Sequence, residues 1–239
     1  GEYYQYLTSM TAEQYLRHAD RATIVRILDD GPNAGGYSHA SAIVMTGSYD
    51  GTYYTGSNVS MSADSEAAAN VSFKLHTHSH GAILNNYGGR TAAIAAKATG
   101  SKNLLKSGSA HNIRWEVTSV NPSKGTFSLI LRRGDDTHNR KRTLESWNNV
   151  TLDPNTNNYI AKVIGDQVNT LRGTETEPYL QLSGSYPNSS KFVRVEVIKD
   201  TIDYLDENGD IRVASSTGSL PGLGSGSWHG SFTGGSNGW

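Results

Sequence analysis

The stretch from Thr126 to Asp166 constrains this chain more than any other part of it. The segment TFSLILRR alternates Phe127, Leu129 and Leu131 with Thr126, Ser128 and Ile130, the period of two expected of a half-buried strand. The run before it, His111 to Val120, is also extended. Between them Asn121-Pro122-Ser123-Lys124-Gly125 carries the Pro and Gly of a tight reversal, so the two runs predict a hairpin. A charged turn, GDDTHNRKR, leads into a second extended run, TLESWNNVTL. Asp153-Pro154 then predicts a helix start, because Asp accepts orphan N–H groups and Pro needs no donor in the first turn. Tyr159, Ile160, Val163 and Ile164 follow at spacings that put them on one face of a short helix.

Composition narrows the function classes. Lys plus Arg (21) balance Asp plus Glu (22), so no general attraction to nucleic acid or to an acidic membrane is expected. With no cysteine, disulfides and thiolate metal sites are excluded. No apolar run approaches the ~18 residues of a membrane span. Glycine is abundant (26) and 13 tyrosines carry much of the aromatic content, a composition suited to a β-rich, loop-rich protein with Tyr packed where one end stays wet.

Taken in order, Glu2 to Ala19 predicts a helix burying Tyr3, Leu7, Met10, Ala12, Leu16 and Ala19. Ala22 to Leu28 (ATIVRIL) predicts a strand buried on both faces, the edge of an α/β core domain, and Gly31-Pro32-Asn33 breaks it. Gly1-Glu2-Tyr3-Tyr4 starts inside the helical pattern without Met, and a fragment or processed chain is inferred. Ser38 to Thr77 predicts short antiparallel strands (SAIVMT, GTYYTG, NVSMSA, NVSFKLHT). Arg90 to Thr99 is Ala-rich and helix-prone. Pro178 to Leu182 and Lys191 to Asp200 predict strands. Tyr204 to Val213 predicts a hairpin turning at Asp206 to Asp210, and Ser215 to Gly226 a Gly/Ser linker. The fold class expected is α+β: a β-rich, antiparallel, sandwich-like module with short helices, preceded by a helix and strand from an α/β core. The divisions expected are 1–30 (core edge), 31–172 (middle β-rich domain), 173–226 (hairpin excursion and linker) and 227–239 (return to the core).

Three clusters invite chemistry. His76, His78 and His80 would project from one face of a strand, where neutral imidazoles can bind a transition metal. No further ligand or supporting shell accompanies them at fixed spacing, so surface histidines are the expectation. Asp206, Asn208 and Asp210 suggest a calcium loop, but Gly209 stands fourth where the EF-hand register needs Gly sixth, which favours a turn. Arg132, Arg133, Arg140, Lys141 and Arg142 could meet phosphates. Asp135 and Asp136 interrupt them and no aromatics interleave, so a solvated turn, or a surface pairing with a neighbouring subunit, is expected. No catalytic, cofactor-binding or metal-binding residues are assigned.

A strand ending in LRR, an acidic residue ahead of an aromatic, N-V-T-L-D-P at 149–154 and N-Y-I-x-x-V-I-G at 158–165 together resemble the middle part of a contractile tail sheath protein of myovirus-type bacteriophages. Ile24-Val25-Arg26-Ile27 and Asn33-Ala34 are similar to that family's core strand and exit. Ser79 to Asn86 resembles a degenerate S-P-G-x-W-G-N signature without its Pro, Trp and second Gly. Ser231 to Gly238 resembles the L-x-G-G-x-D-G return to the core, with Asn237 in place of Asp. The resemblance implies a non-enzymatic virion protein, a middle and outer fragment lacking the C-terminal core. Full-length copies would form stacked hexameric rings around the tail tube protein and contract to drive the tube through the bacterial envelope for genome ejection. No cofactor, membrane or nucleic acid is implied, and the fragment alone is expected to be a monomer. A β-rich receptor- or carbohydrate-binding module of a phage tail is the alternative, and a metal hydrolase using the His76 to His80 run is a third.

Overall fold

The computed structural model describes residues 7–25, 37–46, 71–86, 110–137, 139–174, 176–226 and 230–237. They form an α+β, β-rich fold whose sheets are antiparallel. The hairpin expected before Arg133 is present. Strands β3 (Ile113–Asn121) and β4 (Thr126–Arg133) pair with Asn121 opposite Thr126. The second extended run is β5 (Thr143–Thr151), which pairs with the other side of β4. The central strand β4 is buried on both faces rather than half-buried. Phe127, Leu129 and Leu131 enter the core, while Ser128, Ile130 and Arg132 are buried on the reverse.

A second sheet runs β8-β2-β1-β9, built from β1 (Tyr37–Met45), β2 (Val71–His80), β8 (Val193–Val197) and the two-residue β9 (Ser236–Asn237). Strand β8 alternates as the run from Lys191 predicts, and β1 alternates from Ala40 onward. Ala40, Ala42, Val44, Phe73, Leu75, Val193 and Val195 point inward to one apolar cluster shared with Trp115, Val117, Phe127, Leu129 and Leu131 of the first sheet. Phe73 stacks on Phe127 across the two sheets at 5.6 Å between ring centroids. Burying each such side chain contributes about 1.5–3 kcal/mol.

Helix α2 (Ile160–Ile164) packs Ile160 and Ile164 into the same cluster. It starts later than Asp153-Pro154 predicts. The Asp153 carboxylate instead accepts N–H bonds from Asn155 (3.0 Å) and Tyr204 (3.3 Å), so it holds a turn and a distant loop, and residues 154–158 are turns. The helix ends at Gly165, φ 107°, where a Cβ would lie 2.3 Å from Asn188 Cα. Only glycine fits both the angle and the space.

The N-terminal expectation is corrected in part. Helix α1 (Leu7–Leu16) forms, but none of its residues is buried, and Leu7 is 76% exposed. Residues 21–25 are not strand and Val25 is 78% exposed, where a doubly buried strand was expected. Apolar periodicity encodes a tendency to be covered, and among the described residues nothing covers this one. Residues 26–28, the GTYYTG and NVSMSA pieces and the Ala-rich run at 90–99 lie outside the described residues.

The stretch from Ser215 to Gly226 is not a free linker. After a 3-10 helix (Ala214–Ser219), Leu220 is buried and the chain lies along the open edge of β3. There Val117 N–H donates to Ser225 C=O (2.8 Å), Gly224 N–H to Val117 C=O (3.0 Å) and Trp115 N–H to Gly230 C=O (2.9 Å). A Cβ on Gly226, φ 78°, would lie 2.4 Å from the Trp115 carbonyl oxygen. Glycine therefore serves close approach here rather than flexibility. Gly226→Ala should lower unfolding stability by about 1–3 kcal/mol in a urea titration, whereas a free linker would tolerate it unchanged.

Candidate functional site

The outward face of the four-stranded sheet carries the histidines. Inward Phe73, Leu75 and Thr77 leave His76, His78 and His80 on the other face of β2, as the strand period predicts. The register adds a fourth that the sequence reading missed, His39 of β1, opposite His80. The His39 and His80 rings stack at 4.5 Å with 29° between planes, His39 and His76 lie 6.2 Å apart, and Tyr37 sets its edge on His80 at 5.0 Å. The alternation of Ser38 to Ala42 places His39 outward, but only the pairing with β2 puts it beside the others. Among the described residues, no three His, Asp or Glu side chains are placed to hold a metal ion.

Each imidazole has a defined environment. His76 Nε2 lies 2.7 Å from Glu196 Oε2, and Arg194 pairs directly opposite His76. His78 Nε2–H donates to the Ser190 carbonyl (3.2 Å). The Nδ1 of His39 is buried with no hydrogen-bond partner. Burial, followed by His80, Arg194, His76 and His78, lowers His39 to a pKa of about 4. Burial also lowers His76 and His78, against the opposing pull of Glu196 and of the Ser190 carbonyl respectively. At neutral pH these three rings are uncharged.

The basic run after β4 is put to internal use. Arg132 is 1% exposed; its guanidinium donates to both Asp136 carboxylate oxygens (2.7 and 2.8 Å) and to Glu116 Oε2 (2.8 Å). Lys141 donates to the other Glu116 oxygen (2.6 Å), and Arg142 N–H to Asp136 (3.0 Å). The expected solvated or intersubunit surface is thus, at Arg132, a buried intramolecular network with Glu116 and Asp136 that exposed Lys141 joins from its rim. Arg133 pairs at the surface with Asp135, and this hydrogen bond holds Asp135 below the usual carboxylate range. Removing one partner of a buried pair strands the other charge. Asp136→Ala should lower stability by about 3–5 kcal/mol in guanidinium titrations.

The Asp206 turn is a turn. The Asp206 carboxylate accepts N–H bonds from Asp210 and Asn208 (2.9 Å each), which lower its pKa, and Leu205 bridges Ile211 across it.

The feature that organises these groups is a seam. Tyr37 pairs with Asn237 and Ser38 with Ser236, so the incoming and outgoing ends of the body spanning 37–237 lie side by side. Two successive asparagines clamp the outgoing segment. Asn85 donates to Gly235 C=O and accepts from Gly235 N–H (2.7 Å each). Buried Asn86 donates to Ile113 C=O (2.8 Å) and accepts from Phe232 N–H (3.1 Å), while its own N–H reaches Phe232 C=O (2.9 Å). Gly81 N–H donates to Ser38 C=O (2.9 Å), so the histidine face ends at the seam. No family model, curated protein or solved structure matches the chain. Asn86→Ala leaves a buried N–H and a buried C=O unpaired. It should lower stability by about 1–3 kcal/mol in urea titrations.

Proposed function

We propose that this chain is the middle and outer part of a contractile tail sheath subunit, a non-enzymatic module hung on a core domain that polymerises around a tail tube. The observation that carries this is the seam. A body whose two ends run side by side can be attached to another domain at one place without disturbing either fold. The residues that resemble the family's signatures at 79–86 and 231–238 meet there, through Asn85, Asn86, Phe232 and Gly235. The exposed apolar residues of α1 and Ile24-Val25 fit a surface whose cover belongs to the core. In this reading the subunits form hexameric rings through the core, and the module rides outside them in the virion.

The second reading, a receptor- or carbohydrate-binding module, draws on a different element. Among the described residues, strands β6 (Val168–Gly173) and β7 (Pro178–Ser183) pair only with each other, and their Leu171, Tyr179, Leu180 and Leu182 are exposed. Exposed apolar side chains on such an arm suit recognition. Negative-stain electron microscopy of the complete product of the gene encoding this chain separates the two. Long hollow tubes with a ring repeat are the expected result. Dispersed particles under all salt conditions, with glycan binding on an array, would replace the sheath reading by the second.

A further inference from the structure

The histidine face sits on the sheet that contains the seam, and its chemistry is not used by a structural role. Among the described residues its neighbours come from several elements. From β1 come Tyr37 and His39, from β2 Lys74, His76, His78 and His80, and from β8 Arg194 and Glu196. Glu145 of β5 acts on His78, and Asp166 on Arg194. Of the three carboxylates, Glu196 is bonded to His76. Glu145 already accepts from Ser190 Oγ (2.6 Å) and Lys191 N–H (3.0 Å), and Asp166 accepts from the N–H groups of Ser185 and Tyr186. No carboxylate is bonded to His39 among the described residues, and its Nδ1, once protonated, would be a buried donor without an acceptor.

We propose that this face is an acid-operated latch: protonation of His39 and its neighbours sets like charges against one another across β1 and β2 and loosens the sheet that closes the seam. The stacked contact of His39 with His80 brings two potential cations to 4.5 Å between ring centroids, with Arg194 already charged beside them. Like charges at that range repel appreciably even near a protein surface. The direction in pH follows from linkage. The unfolded chain takes up a proton on His39 near pH 6.5, while the folded chain resists until about 4. Stability contributed by the neutral ring is therefore complete above about 6.5, falls as pH drops through that window and stops changing below it. The three-stranded sheet β3-β4-β5 carries no histidine in its strands, so the effect is greatest in the four-stranded sheet. The latch is independent of whether the subunit forms tubes.

Amide hydrogen exchange of the whole chain at pH 7.5 and pH 5.0, corrected for intrinsic rates, tests it. Protection in 37–45, 71–80 and 236–237 should fall at least tenfold more than protection in 126–133 and 143–151. That difference should shrink several-fold in the double variant His39→Phe with His80→Phe, which keeps the stacked rings but cannot be charged, the remainder belonging to His76 and His78. Equal losses in both sheets, no loss, or a difference undiminished in the double variant would each overturn the proposal. Should the double variant fail to fold, the wild-type exchange pattern and an NMR titration of the His39 ring decide. A ring midpoint below about 5.5 supports the latch, and one at or above the ordinary 6.5 overturns it.

Discussion

Phe73 against Phe127 is the contact on which the rest of the structure depends. The two larger sheets share no strand, so what joins them is apolar area: alternate residues of β1, β2 and β8 on one side and of β3 and β4 on the other. Because that core fixes which face of each strand points inward, it also fixes which face is left for charge. His76, His78 and His80 face outward because Phe73, Leu75 and Thr77 face inward. A slip of one residue would exchange the two sets. The outward chemistry is in this sense a consequence of the inward packing.

A sheet so built leaves edges, and the chain closes them with a few late residues. Gly224, Ser225 and Gly230 exchange hydrogen bonds with β3, and the segment 231–237 does the same for β1 under the hold of Asn85 and Asn86. Backbone pairing of this kind tolerates small side chains and favours them where strands approach closely, which accounts for the Gly and Ser that dominate this part of the sequence. The β6–β7 arm has no such cover among the described residues. An isolated hairpin is marginal in water, and its exposed leucines give it a surface suited to a partner.

Buried charge marks the other face of the three-stranded sheet. Arg132 at the end of β4 is satisfied by Asp136 in the turn and Glu116 on β3, so the turn after β4 is anchored to the sheet it leaves. A run of Arg and Lys broken by Asp reads in sequence as a solvated surface, since such residues are mostly exposed. What distinguishes the buried one is the presence of two carboxylates in reach, one of them sixteen residues away in sequence.

The sequence by itself determined the local order: the β3–β4 hairpin, the β5 run, the alternation of β8, the short apolar helix before Gly165 and the outward side of His76, His78 and His80. Each follows from periodicity or turn chemistry, which act over a few residues. Only the tertiary structure decided the rest. It brought His39 to His80, Asp153 to Tyr204, Arg132 to Glu116, and the glycines near 226 to Trp115. Among the described residues it also left α1 and Val25 without the cover that their pattern anticipates. These outcomes depend on strand register and on which surfaces meet, and both are set by the balance of burial over the whole chain rather than by any residue's neighbours in sequence.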